Sequence, residues 1–300
     1  MNAWKIGLLS ALLLWTTACE LSDSPEPVPA YLHIPGFELE PTPGLQHGSL
    51  TQKITHAKVF VRTPGSTEKS LALGMLNLPI TVPVLKTGPV EVQLIPAIKA
   101  NGSSLSVREY PFYEQALLQT TLEAAEVDTI RPKTRYKSDS VFEFIEDFDD
   151  PDNTHQFSDD LDGDPTHTLT VTTQDALEGR GSGLFLLDGD HPLAIVATER
   201  IFELDRSTQL ATYVELDYRN DVHLEVGFFD IINGVEIPDF AFVIRPREDW
   251  NKIYLDLTDF ILQQPNNPRT FRLALRAIQP LEDSTQTSRV LIDNVKLLHF

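Results

Sequence analysis

The densest chemistry in this sequence lies between Glu143 and Asp164. Glu143, Glu146, Asp147, Asp149, Asp150, Asp152, Asp159, Asp160, Asp162 and Asp164 crowd together there without one lysine or arginine. Carboxylates at that density repel one another unless they are solvated, protonated or bridged by a cation. A hard cation such as Ca²⁺, which takes about six to eight oxygen ligands, is the ion they would suit. Asp160-Leu161-Asp162-Gly163-Asp164 has the flavour of a calcium loop, but its glycine is misplaced for an EF-hand. The twelfth position from Asp160 is Val171 rather than glutamate, which removes that reading. A solvated acidic loop and a bound ion both stay open on the residues alone.

The remaining chemically capable residues give weaker patterns. His155, His167, His191 and His223 fall at no metal-ligand spacing, with no His-Glu-x-x-His and no Cys-His set. His223 alternates with Val222 and Leu224, which predicts the outer face of a strand. Gly179-Arg180-Gly181-Ser182-Gly183 lacks the Gly-Lys-Ser/Thr ending of a phosphate loop and the Gly-x-Ser-x-Gly spacing of a nucleophile elbow, and so predicts a hairpin turn. Glycoside hydrolysis needs two carboxylates about 5–10 Å apart, but nothing in the sequence singles out a pair. Trp250, Tyr254, Tyr218, Phe228 and Phe229 offer aromatic faces for stacking on a sugar. Phe228 and Phe229 are adjacent, so on a strand they point to opposite faces and only one can be core.

These residues must be positioned by strands. Long 3.6-residue periodicity is nearly absent, and short apolar runs bounded by turn residues dominate a chain with 21 prolines, the pattern of an all-β protein. From Ala30 the runs AYLHIPGFEL, KITHAKVFVR, SLALGML, PVEVQLIPAIKA and ALLQTTLEAAEV read as strands, with turns at Thr63-Pro64-Gly65 and Asn101-Gly102. This unit, residues 30–133, resembles an immunoglobulin-like or transthyretin-like β-sandwich in its strand rhythm. The basic, polar stretch RPKTRYKSDS (131–140) reads as a linker. About ten further runs, from VFEFIEDFDD to SRVLIDNVKLLHF, predict a jelly-roll β-sandwich over residues 140–300.

In that second unit the Glu146-Asp147-Phe148 opening, the Glu178–Gly183 stretch, Tyr254-Leu255-Asp256-Leu257-Thr258-Asp259-Phe260 and the closing Ile292-Asp293-Asn294-Val295 resemble the galactose-binding-like jelly rolls. Many carbohydrate-binding modules belong to that group. The resemblance implies a glycan ligand and one structural Ca²⁺ between the first and last strands. The residues it points to are Asp147, Asp149, Asp150 and Asp293.

The N-terminus carries an address. Lys5 precedes an apolar stretch, Ile6 to Trp15, too short to span a bilayer but the length of a signal-peptide core. Thr16-Thr17-Ala18-Cys19 follows, and Cys19 is the only cysteine, which excludes a disulfide within the chain. The stretch resembles the lipobox of bacterial lipoproteins, with Thr16 where leucine is usual. That resemblance implies cleavage after residue 18 and acylation of Cys19, two or three chains meeting the requirement for stable anchoring. Residues 19–29, acidic and rich in proline and serine, read as a tether, and the acids behind the cysteine resemble the surface-export signal of Bacteroidetes lipoproteins. With 24 basic against 44 acidic residues and a net charge of −20, the chain disfavours nucleic acid. The expectation is a non-catalytic protein held at the outer membrane, surface-exposed, with a ligand-binding jelly roll. Glycan is the first-choice ligand, an outer-membrane protein partner the alternative, and a glycoside hydrolase the third.

Overall fold

The computed structural model describes residues 26–205, 211–263, 268–280 and 286–300. Residues 1–18, Cys19 and the first part of the tether lie outside the described residues. The first unit contains β1 (Ala30–Ile34), β2 (Glu38–Leu39), β3 (His56–Arg62), β4 (Leu71–Asn77), β5 (Ile80–Val84), β6 (Gly88–Lys99), β7 (Val107–Glu109), β8 (Ala116–Leu122), β9 (Val127–Thr129) and β10 (Lys133–Thr134). The second opens with β11 (Val141–Glu146), β12 (Asp159–Asp160), β13 (Thr170–Thr172), β14 (Ser182–Leu187), β15 (Leu193–Ala197) and β16 (Phe202–Leu204). It continues with β17 (Thr212–Asn220), β18 (His223–Ile232), β19 (Val235–Ile244), β20 (Arg247–Asp256), the short helix α1 (Thr258–Leu262), β21 (Arg269–Ile278) and β22 (Ser288–His299). The chain is all-β, as its patterning predicts. No helix among the described residues is long and apolar enough to cross a membrane.

In the first unit a three-stranded sheet, β5-β1-β9, faces a five-stranded one in which β6 pairs with β3 along one edge and with β8 and then β7 along the other, and β4 lies outside β3. Alternation does the sorting. Along β3, Ala57, Val59 and Val61 are buried while His56, Lys58 and Phe60 are only partly covered, the period-two signature of a half-buried strand. The Asn101-Gly102 turn has positive φ at both residues, as a tight hairpin turn requires. β5 escapes the sequence reading because two prolines break its short apolar run.

In the second unit two six-stranded antiparallel sheets, β13-β14-β22-β17-β20 with β11 on β22 and β12-β15-β21-β18-β19 with β16 on β21, enclose one apolar core. The first and last strands of this sandwich, β11 and β22, are neighbours. Phe144, Phe185, Leu216, Phe228, Leu273 and Ile292 fill the space between the sheets, each such side chain contributing about 1.5–3 kcal/mol by burial. Thr258-Asp259-Phe260, the end of the Tyr254–Phe260 motif, opens the helix α1, which buries Ile261.

β17 and β22 are buried on both faces. One face meets the jelly-roll core. The other is covered by the first unit, whose apolar cluster takes in Ala211, Tyr213, Tyr254 and Leu298 from the second. The stretch 131–140 is part of this seam and not the exposed linker its polarity suggests. Thr134, Tyr136 and Ser140 are buried, and β10 pairs in parallel with β2. Its basic residues stay outside, Lys133 and Arg135 forming ion pairs with Glu40. Polar composition came from one side of an alternating segment whose other side is packed.

Candidate functional site

The seam is built from charge as well as apolar surface. Glu215, wholly buried on β17, accepts hydrogen bonds from the Tyr110 hydroxyl at 2.6 Å and the Tyr136 hydroxyl at 2.8 Å. Lys252 on β20 lies 3.3 Å from Glu215 and 3.5 Å from Asp217. Lys296 donates to the Ser49 carbonyl at 2.7 Å. Burial opposes ionisation of Glu215 and Lys252, but their mutual attraction prevails and holds both charged at neutral pH. Burial pulls the Lys296 ammonium down to about 8, against the opposite pull of Glu215. The Lys53 amide donates to the Tyr254 hydroxyl at 2.9 Å, and the Asn101 amide to the Tyr254 carbonyl at 2.8 Å. Groups buried at this cost must be paired, and here each unit supplies partners for the other.

Beside the network a groove opens where the units meet. One part, a cleft of about 160 Å³, is lined by Lys53, Thr55, Lys99 and Ser104 from the first unit and by Tyr218, Arg247 and Asn251 from the second. Asn251 and Lys252 also line a neighbouring hollow with Thr51, Leu177, Asp217 and Trp250, and Glu248 and Asp249 line a further one with Arg247, Trp250 and Asn251. Asn251 is the hub: it donates to the Tyr218 hydroxyl and accepts from the Lys53 ammonium. Lys53, Lys99 and Arg247 make no ion pair among the described residues. Burial first, then the charges of Arg247 and Lys99, lower the Lys53 ammonium from its ordinary range, so the three cations share one field. In a chain of net charge −20, such a positive spot draws anionic or strongly hydrogen-bonding ligands.

The aromatic candidates separate by environment. Phe228, Tyr254 and Tyr218 are buried. Phe229 is half-exposed on the outer face of the other sheet, but Arg272 lies over its ring at 5.9 Å, and Arg276 covers the adjacent Phe240 at 4.1 Å. Trp250 is half-exposed and has no ring or cation contact among the described residues. Of the five aromatic candidates it is the one partly exposed without such a contact. Lys53, Lys99 and Arg247 were not legible as site residues, because only the packing of the two units brings them together.

The acidic stretch satisfies itself with backbone amides. Glu146 accepts the Phe148 and Gln156 amides at 2.7 and 2.6 Å, Asp147 that of Asp149 and Asp150 that of Asp152. Asp149 accepts the amides of Arg180 and Gly181. The glycine-rich stretch is therefore a cradle for a carboxylate of the same chain, more than the plain hairpin turn its sequence suggests. Asp293, 1% exposed, accepts the Ser182 hydroxyl at 2.7 Å and the Asn294 amide at 2.8 Å. Burial, and after it the charges of Asp217 and Glu178, push its carboxyl up to about 7 against the pull of those two hydrogen bonds. Asp147, Asp149 and Asp150 line one hollow, and among the described residues these three and Asp293 supply no group of three ligand atoms within 4.8 Å of one another. Among the described residues, the group of three or more His, Cys, Asp or Glu whose ligand atoms all lie within 4.8 Å of one another is Asp164, His167 and His191. Two of those are histidines that spacing alone set aside.

No protein family matches the chain, and no curated protein does. The similar solved structures include a family 30 carbohydrate-binding module of a cellulosomal cellulase of Clostridium thermocellum. It is 18% identical over 43% of this chain and 81% of that one, with a TM-score of 0.34. A second family 30 module is 16% identical over 54% and 84%, with a TM-score of 0.35. A third, TmCBM61 in complex with β-1,4-galactotriose, is 13% identical over 48% and 91%, with a TM-score of 0.31. Likenesses this loose carry no argument about the chain, whose sandwich and groove stand on the contacts given above.

Proposed function

We propose that this is a non-catalytic, lipid-anchored protein of the cell envelope that binds a glycan in the groove around Asn251, with acidic sugars preferred. The observation that supports the reading is the juxtaposition of a partly exposed Trp250 with Asn251 and three cations that make no ion pair among the described residues. A sugar offers an apolar CH face that an indole can cover, and hydroxyls or carboxylates that an amide, an ammonium and a guanidinium can bind. The anchor rests on the run from Ile6 to Cys19 and on the affinity that two acyl chains confer. The test is binding by the full chain in detergent to matched neutral, uronic and sulfated oligosaccharides. Trp250→Ala should weaken all binding at least tenfold, and Arg247→Ala should weaken the acidic ligands selectively. Absence of binding to every member of the panel would sink the glycan reading. Cys19→Ser should release the protein from membranes on fractionation.

An outer-membrane protein partner is the second reading, favoured by β19. This ten-residue strand ends its sheet and exposes Val235, Ile237 and Val243, a combination suited to strand addition by another chain. Cross-linking from Ile237 in intact envelopes separates the two readings.

A further inference from the structure

We propose that Asp164, His167 and His191 form a binding site for a zinc-class divalent transition ion, distinct from the groove and independent of the glycan reading. Two connections build it. Asp164 and His167 lie between β12 and β13, and His191 lies in the turn between β14 and β15. β12 pairs with β15, the Leu161 amide bonds the Ile195 carbonyl at 2.9 Å, and Asp162 accepts the Ile195 amide at 2.6 Å. That short zipper carries Asp164 up to His191, 27 residues away in sequence. The Asp188 carboxylate accepts the His191 amide at 2.9 Å and fixes the other side of the turn.

The ligand atoms of the three side chains lie within 4.8 Å of one another, in reach of one shared ion. Thr166 donates to Asp164 Oδ1 through its amide and hydroxyl, which holds the carboxylate and leaves Oδ2 for the histidines. Both rings turn Nδ1 toward that oxygen, His191 in direct hydrogen bond and His167 at 3.5 Å. The rings stack 3.5 Å apart with planes 10° from parallel. Because a metal lies in the plane of each imidazole it binds, one ring turns out of the stack on binding, and His191 Nδ1, which donates to the carboxylate, gives up that proton to the ion. Zinc–nitrogen and zinc–oxygen bonds of about 2.0–2.2 Å in a tetrahedron place ligand atoms about 3.3–3.5 Å apart. The His167–Asp164 separation already has that length. Binding would open the His191–Asp164 hydrogen bond to the same edge and replace the 3.0 Å contact between Thr166 Oγ1 and His167 Nδ1. Two imidazoles and one carboxylate select zinc, copper or nickel over calcium and magnesium. The three side chains are 28–33% exposed, so an ion can reach them from solvent and keep a fourth position for water or an external ligand.

The experiment titrates the full, untagged chain in detergent with zinc against a chromogenic chelator, with cobalt(II) as a spectroscopic stand-in. One equivalent should bind, and cobalt should show the visible bands of a four-coordinate site. His167→Ala and His191→Ala should each weaken zinc binding at least tenfold and abolish those bands, while His223→Ala, an exposed histidine elsewhere, should change nothing. All three substitutions lie on the surface, and unchanged circular dichroism confirms the fold. Zinc binding that survives the double variant, no zinc binding by the parent, or calcium binding as tight as zinc at this site would overturn the proposal.

Discussion

Asp293→Asn tests the electrostatics of the jelly roll where its last strand crosses the seam. Asp293 sits opposite Asp217 in the β17–β22 register, and its carboxyl titrates near 7 in the folded protein against an ordinary 3.8. The folded state therefore binds a proton that the unfolded chain has already released. The stability this contributes is fully present below about pH 4 and is lost as pH rises through 7. At about 1.4 kcal/mol per unit the whole window is worth about 4 kcal/mol, of which about 2.5 kcal/mol falls between pH 5 and 8. Urea unfolding of the unlipidated Cys19→Ser chain, with and without Asp293→Asn, measures it through circular dichroism at pH 5, 6, 7 and 8. The stability of the asparagine variant relative to its parent should climb by about 2.5 kcal/mol across that range. Parallel curves, or a variant that loses ground as pH rises, would refute the reasoning.

Two further outcomes follow from the seam and the cradle. Glu215→Gln leaves Lys252 and Lys296 without their central buried anion and should cost about 3 kcal/mol or more, read as a lower urea midpoint; an unchanged midpoint would mean that Asp217 alone neutralises them. Gly179→Ala puts a Cβ inside the Asp149 carboxylate at a φ of +64° and should cost about 1–3 kcal/mol. In an Asp149→Ala background the same change should cost clearly less, and equal costs in both backgrounds would show that the carboxylate is not the obstacle.

The strands were legible in the sequence where one face is buried and one is wet. β3 announces itself in this way, and Phe228 and Phe229 divide as their adjacency requires. Legibility failed where both faces are covered. Along β17 the alternation of Val214, Leu216 and Tyr218 with Glu215 and Asp217 reads as core against solvent, yet the acids are buried beneath the first unit. Tyr136 was hidden in the same way among basic neighbours. In the acidic stretch carboxylate density shows repulsion but not the backbone amides that the carboxylates accept. His167 and His191 were invisible because β12–β15 pairing, and not spacing, joins them. Trp250 was visible as a residue type, but its companions Lys53 and Lys99 come from the other half of the chain.

The seam also bears on how such a chain can change over generations. A binding module carried on its own sandwich can be cut out and joined to new neighbours by recombination, because its outer surface was already compatible with water. Here Glu215, Lys252 and Tyr254 face Tyr110, Tyr113 and Tyr136, and the hydroxyls of Tyr113 and Tyr254 meet at 3.3 Å. A crossover between residues 131 and 140 would strand charges from one parent under the aromatic residues of another, and would dismantle the groove together with its wall. The two halves are bound to drift as one unit, each substitution on the covered face of β17 or β20 answered by one near Tyr110 or Tyr136.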